Sequence, residues 1–233
     1  MKSADFDIFA NEYESIHKDN IKFSGESPSY FADYKVYDLA KEFRAYNRKD
    51  IKSPKILDFG SGIGTSVPYF NKYFIDPTIT CLDVSKKSLD IGIKRYPCNV
   101  DFQYFNGGVL PFPDARFDIA FAACVFHHID QKEHIYYLKE FYRILKPNGI
   151  AIVYEHNPLN PLTIKAVDTC PFDKDAKLIN ALSMRKLMNN AGFNRTYVKY
   201  RIFFPNILYL LRPLERFLTW LPFGAQYYSI AFK

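Results

Sequence analysis

The chain has 233 residues, 48% of them hydrophobic and 18% aromatic, with 31 basic and 25 acidic side chains that leave a formal charge of +6. It is apolar enough to bury a full core, and its lysines are scattered rather than gathered into the patch or stripe of a nucleic-acid binder, so no nucleic-acid partner is expected. The four cysteines, Cys81, Cys98, Cys124 and Cys170, form no CxxC pair and no short Cys/His ligand spacing, which points to a reducing cytoplasm and gives no metal site.

The opening "MKSADFDIFANEYE" carries acidic residues where a signal peptide needs an apolar stretch, and no 18-residue apolar span follows. The expectation is a cytoplasmic protein without a transmembrane segment. Helical segments near residues 4–19 and 30–48 precede the first strand and are expected to fold as a lid within 1–50.

From residue 55 short apolar runs alternate with helical patterns. "KILDFG" reads as a buried strand, 63–74 as a helix, "TITCLDVS" as a second strand and 86–96 as a second helix. "VDFQYFN" and "FDIAFAACVF" follow, then the amphipathic "QKEHIYYLKEFYRILK", which "PNG" stops before the strand "GIAIVYEH". The tail reads as a helix near 183–191, a strand near 195–203, a helical insert at 204–221 and a final strand "AQYYSIAFK". Alternating strands and helices imply an α/β, doubly wound, Rossmann-like sheet whose ligands lie beyond the carboxyl ends of the strands. One domain over 1–233 is expected, with the core at 55–233.

The turn "DFGSGIGTS" lies at that ligand edge. Its spacing is GxGxG, with Thr65 where a dinucleotide fingerprint needs glycine, and no lysine follows to make a P-loop. An NAD-dependent oxidoreductase therefore fits the fold but not the turn. Asp83 ends the next strand, 19 residues past Gly64, where a carboxylate accepts both hydroxyls of a ribose. Glycine turn and acid together favour an adenosine cofactor.

In order along the chain, "ILDFGSGIG", "CLDVS", "FDIAFAACVFHHI" and "LKEFYRILKPNGIAIV" resemble the motifs of the class I S-adenosylmethionine-dependent methyltransferases. The resemblance implies a seven-stranded sheet with an antiparallel last strand and S-adenosyl-L-methionine as cofactor. It implies that Asp58 serves the methionyl ammonium through water while Gly60, Ser61 and Gly62 approach the methionine. Asp83 would hold the ribose, Val84 pack on adenine and Asn106 bond the amino edge, with Gly107 and Ala123 completing the pocket. Asn106 stands where the family usually has an acid. "FDIFANEYESI" resembles the opening helix of the small-molecule branch, which gives Tyr13 the part of an aromatic closing over the cofactor. "IKFSGESPSYFADYK" and "EHNPLNPLTIKAVDTCPFDKDA" resemble stretches of methyltransferases found among glycan-building enzymes.

Methyl transfer from a sulfonium is an in-line displacement helped by a dry, positioned site, and a hydroxyl acceptor also benefits from a base. His127 and His128 follow the fourth strand and are the first candidates, with Glu155, His156 and Asn157 at the end of the fifth strand as the second set. His17 and Lys35 are weaker candidates, and His134 receives no role. The expected acceptor is a small molecule, with a sugar or glycan-precursor hydroxyl favoured over the ring or hydroxyl of a lipid quinone. A nucleoside-binding module without catalysis is a third reading. The 204–221 insert, with Arg212 and Arg216 among apolar residues, is the expected contact with a lipid-linked acceptor or a membrane surface.

Overall fold

The structure is a computed structural model in which residue 7, residues 13–46 and residues 52–233 are described. Seven strands form one sheet: β1 (Lys55–Phe59), β2 (Thr78–Asp83), β3 (Val100–Tyr104), β4 (Phe117–Ala123), β5 (Leu145–His156), β6 (Arg195–Arg201) and β7 (Gln226–Phe232). Their spatial order is β3-β2-β1-β4-β5-β7-β6. The pairs β3·β2, β2·β1, β1·β4 and β4·β5 are parallel, and β7 runs antiparallel to both neighbours. The order reverses between β1 and β4, which is the switch point where such sheets bind ligands.

The central strands are apolar on both faces because both faces are covered. Leu57, Phe59, Ala120, Ala122, Ala151 and Val153 point to the side of α5 (His134–Ile144) and α7 (Ala181–Asn190). Their neighbours Ile56, Ile79, Ile119, Phe121 and Ile152 point to the other, against α2 (Pro28–Tyr46) and α3 (Val67–Tyr73), which leaves α1 as Tyr13–Asn20. Fully buried Phe121 sits 5.4 Å, ring to ring, from Phe70 of α3, and truncating such a side chain costs about 3–5 kcal/mol.

Four elements depart from the sequence reading. α2 is a core helix rather than a lid: Val36, Leu39 and Ala40 are wholly buried against the sheet, and only its first turns reach the ligand edge. The strand β5 begins at Leu145 and passes through "PNG" by a shift in register opposite Phe117 and Ile119, so the turn residues bulge the strand instead of preceding it. The 204–221 insert is mostly 3-10 backbone over Asn206–Leu214, kinked at Leu208 and carrying Pro213, with a single α turn, α8 (Glu215–Leu218). Proline removes a helical donor and prevents a regular helix there. The helix after the glycine turn is also shorter than 63–74, since residues 62–66 are turn.

Candidate active site

The glycine turn is clamped to the neighbouring strand before it reaches any ligand. Gly60 N–H donates to the Leu82 carbonyl at 2.8 Å, and Gly62 N–H to Asp83 Oδ2 at 2.8 Å. Gly60 has φ +72°, and a side chain there would meet Val125 at 2.5 Å, so only glycine fits. At Gly62, φ +54°, a side chain would enter open space. Asp83 is fixed a second time by Ser85 N–H on Oδ1 at 2.8 Å, and Ser85 caps α4 (Lys86–Arg95) by accepting from Ser88 N–H. Asp7 joins the same corner: its carboxylate accepts from Ser85 Oγ and from Lys87 N–H.

Two buried polar atoms at this tip, Asp58 Oδ2 and Ser61 Oγ, have no partner among the described residues. An unpaired buried acceptor costs free energy that a ligand cation returns. Burial and the neighbouring Asp83 carboxylate push Asp58 up to about 8, and burial raises Asp83 as well, against the pull of the Ser85 and Gly62 N–H groups. Beside them lies a cavity of about 260 Å³ lined by Val84, Asn106 and Gly107 with Phe59, Tyr104 and Tyr137. Four of the proposed cofactor contacts, Asp58, Asp83, Ser61 and Gly62, thus surround one corner, and Val84, Asn106 and Gly107 line the adjoining cavity. Ala123 ends β4 and is half-buried. Tyr13 opens α1, but its side chain, like that of His17, lies outside the described residues.

Beyond the tips of β4, β5 and β7 a second, polar group assembles. Lys35 of α2, buried rather than solvent-facing, donates from Nζ to Cys124 Sγ at 3.3 Å. Cys124 holds φ +60°, and although burial pushes its thiol up, the Lys35 ammonium and His156 outweigh that and bring it to about 7. Tyr34 donates its hydroxyl to Gln226 Oε1, and Gln226 lies opposite His156 across the β5·β7 pair.

The histidines divide by environment. His127 is buried, with Nδ1 2.5 Å from Glu155 Oε2, and Glu155 also accepts from the N–H groups of Val125 and Phe126. Burial opposes the charge on His127, but Glu155 and Asp173 outweigh it and raise the ring to about 10, with Glu155 correspondingly lowered. His128 is pushed down to about 3 by burial and by the charge on His127. His156 is half-buried at the end of β5, its ring 5.2 Å from that of His127. His134, given no role above, is buried and binds the carbonyls of Phe126 and Ile129, pinning the turn that carries His127 and His128. Asn157 is structural too, donating to the Pro222 and Gly224 carbonyls.

Sequence reasoning passed over Cys124, Gln226 and Asp173 and ranked Lys35 only as a weaker candidate. The apolar run around Cys124 hid its position at the strand exit. Asp173 is 45 residues from His128 in "CPFDKDA", and nothing in local spacing joins them.

Residues 57–153 match the model of the methyltransferase domain. Among curated relatives, the ubiquinone/menaquinone biosynthesis C-methyltransferase UbiE of Hahella chejuensis is 30% identical over 125 residues, half of this chain and 49% of that protein. The demethylmenaquinone methyltransferase of Chlorobaculum parvum is 32% identical over 115 residues, covering 49% and 46% of the two chains. This chain thus spans about half the length of the curated relatives it matches. Among solved structures, a SAM-dependent methyltransferase of Thermotoga maritima aligns over the whole of both chains with a TM-score of 0.64 at 21% identity. The phosphoethanolamine N-methyltransferase 2 of Haemonchus contortus, solved with S-adenosylhomocysteine, aligns over 84% of this chain and 52% of its own at TM-score 0.59 and 16% identity. Strand order, glycine turn, acid at the second strand tip and matched domain agree: residues 57–153 form a methyltransferase domain, and the chain has the fold of the SAM-dependent methyltransferases.

Proposed function

We propose that the protein binds S-adenosyl-L-methionine at the tips of β1 and β2 and methylates a lipid-borne aromatic acceptor of the quinol type. The observation that carries the cofactor reading is the unpartnered Asp58 Oδ2 beside Asp83 and the 260 Å³ cavity. Asp58 ionises against the methionyl ammonium, Asp83 accepts from the ribose hydroxyls, and Val84 packs on the adenine. The cofactor supplies an electrophilic methyl group on a sulfonium. The chain supplies position and a water-poor surround from Lys35, Tyr34 and Gln226, and His156 takes the proton that leaves the acceptor.

Two facts favour a lipid-borne ring over the sugar hydroxyl expected first. The matched relatives carry quinone C-methyltransferase names. The loop after β6 lies at the carboxyl edge of the sheet, the ligand edge, and there Ile207, Leu210, Trp220 and Phe223 are 66–88% exposed. Leu162, just after β5 on the same edge, is exposed as well. Such an apolar rim suits an acceptor held at a membrane surface. Among the described residues no helix is long and apolar enough to cross a membrane. The polar cluster of His127, His128 and Asp173 is the observation that favours a hydroxyl acceptor instead.

Incubation with methyl-labelled S-adenosylmethionine and a short-chain prenylated quinol tests the proposal. Label on the ring carbon supports it, whereas label only on a hydroxyl of a sugar-containing extract fraction overturns the acceptor.

A further inference from the structure

We propose that His127, His128 and Asp173 form a binding site for a divalent transition metal of the zinc class. The three residues come from two turns that the fold brings together: the 3-10 turn Phe126–His128 after β4 and the 3-10 turn Pro171–Asp173 that follows α6 (Pro161–Asp168). One ligand atom from each lies within 4.8 Å of the others. His127 Nε2 is 3.4 Å from Asp173 Oδ1, and His128 Nε2 is 3.3 Å from the same oxygen. Those separations are long for charge-assisted hydrogen bonds, which run to about 2.9 Å. They match the edge of a tetrahedron of ligands held about 2.0–2.1 Å from zinc, which is about 3.3–3.4 Å.

The surroundings are those of a metal ligand set. The other nitrogen of His127, Nδ1, bonds the Glu155 carboxylate at 2.5 Å, an arrangement that fixes the ring and directs Nε2 toward a metal. Glu155 is itself held by two backbone N–H groups and is fully buried. The Asp173 turn is tied to the histidine turn by Lys177 N–H, which donates to the His127 carbonyl at 2.9 Å. His134 braces the histidine turn from beneath. Two imidazoles and one carboxylate suit a borderline divalent cation, and three protein ligands leave a tetrahedral ion one position for water or an oxygen of another molecule. The metal assignment does not depend on which acceptor is methylated.

Cobalt(II) is the probe, since its tetrahedral complexes show strong visible bands. The full-length protein, treated with chelator and dialysed, is titrated with cobalt chloride in the absence of S-adenosylmethionine, and zinc is then added in competition. The expected result is saturation near about one equivalent per chain with tetrahedral bands that zinc removes. His128→Ala and Asp173→Asn should lose those bands while keeping the circular dichroism and cooperative unfolding of a folded protein, and Glu155→Gln should bind about 10–100-fold more weakly. Absence of the bands in the unmodified protein overturns the proposal, leaving an ion-paired cluster. Their persistence in both ligand variants overturns it equally.

Discussion

Lys35 Nζ lies 3.3 Å from Cys124 Sγ, joining α2 to the end of β4. The pair sets the Cys124 thiol at the carboxyl edge of the sheet and predicts its reactivity. In a Cys98→Ser background, alkylation of Cys124 by iodoacetamide should rise with pH about a midpoint near 7. Cys81 and Cys170 should stay silent, since burial raises Cys170 to about 12 and Cys81 well above its ordinary range. Lys35→Met removes the opposite charge and should move the midpoint up by about 1–2 units. Peptide mapping of the alkylated residue checks both, and an unchanged midpoint in the variant would contradict the pairing.

Asp83 is held by two N–H donors and faces the ligand corner with its remaining lone pairs. Asp83→Asn turns one of those contacts into donor against donor and weakens two bonds to the ribose. S-adenosylhomocysteine affinity should fall about 10–100-fold, at about 1.5–3 kcal/mol for a bond to a charged group. Calorimetric titration measures this, and thermal unfolding of the variant separates it from a loss of fold.

Asp58 is protonated at neutral pH when no cation faces it, because its folded value is about 8. Binding an ammonium ionises it. Cofactor binding at pH 7 should therefore release about one proton, seen as a dependence of the binding heat on buffer ionisation enthalpy. Asp58→Asn should abolish that release while leaving the protein folded. Equal heats in phosphate and Tris for the unmodified protein would remove Asp58 from the ammonium.

The His127–Glu155 pair makes stability depend on pH in the chelated protein. His127 is raised from 6.5 to about 10, so its contribution is full below 6.5 and is lost as pH rises through about 10. Glu155 is lowered from 4.5, so its contribution is present above 4.5 and is lost as pH falls below it. Urea midpoints should decline from pH 6.5 toward pH 10, and His127→Gln should flatten that decline. A variant whose midpoint still falls in parallel with the unmodified protein would contradict the charge assignment.

Much of the sheet was legible because its signals are local. "KILDFG" and "FDIAFAACVF" are apolar on both faces, and "GSGIG" between strand and helix carries the backbone freedom that Gly60 needs against Val125. The proposed cofactor corner has a similarly simple basis, since Asp58 and Asp83 sit at the ends of paired strands. The acceptor side was not legible. Lys35 and Cys124 are 89 positions apart, and Asp173 and His127 meet only because two loops fold over one edge. A mid-helix lysine reads as solvent-facing until tertiary packing buries it, and α2 read as a lid because its buried face has no partner in the sequence. The insert at 204–221 has helical apolar spacing, but Pro205 and Pro213 overrule the periodicity.

The most direct test of the account is a calorimetric titration of the full chain with S-adenosylhomocysteine and, separately, with NAD. Saturable binding of the former at one site, lost in Asp83→Ala, with no heat from NAD, is the predicted outcome. Binding of NAD without binding of S-adenosylhomocysteine would contradict the assignment of this crevice.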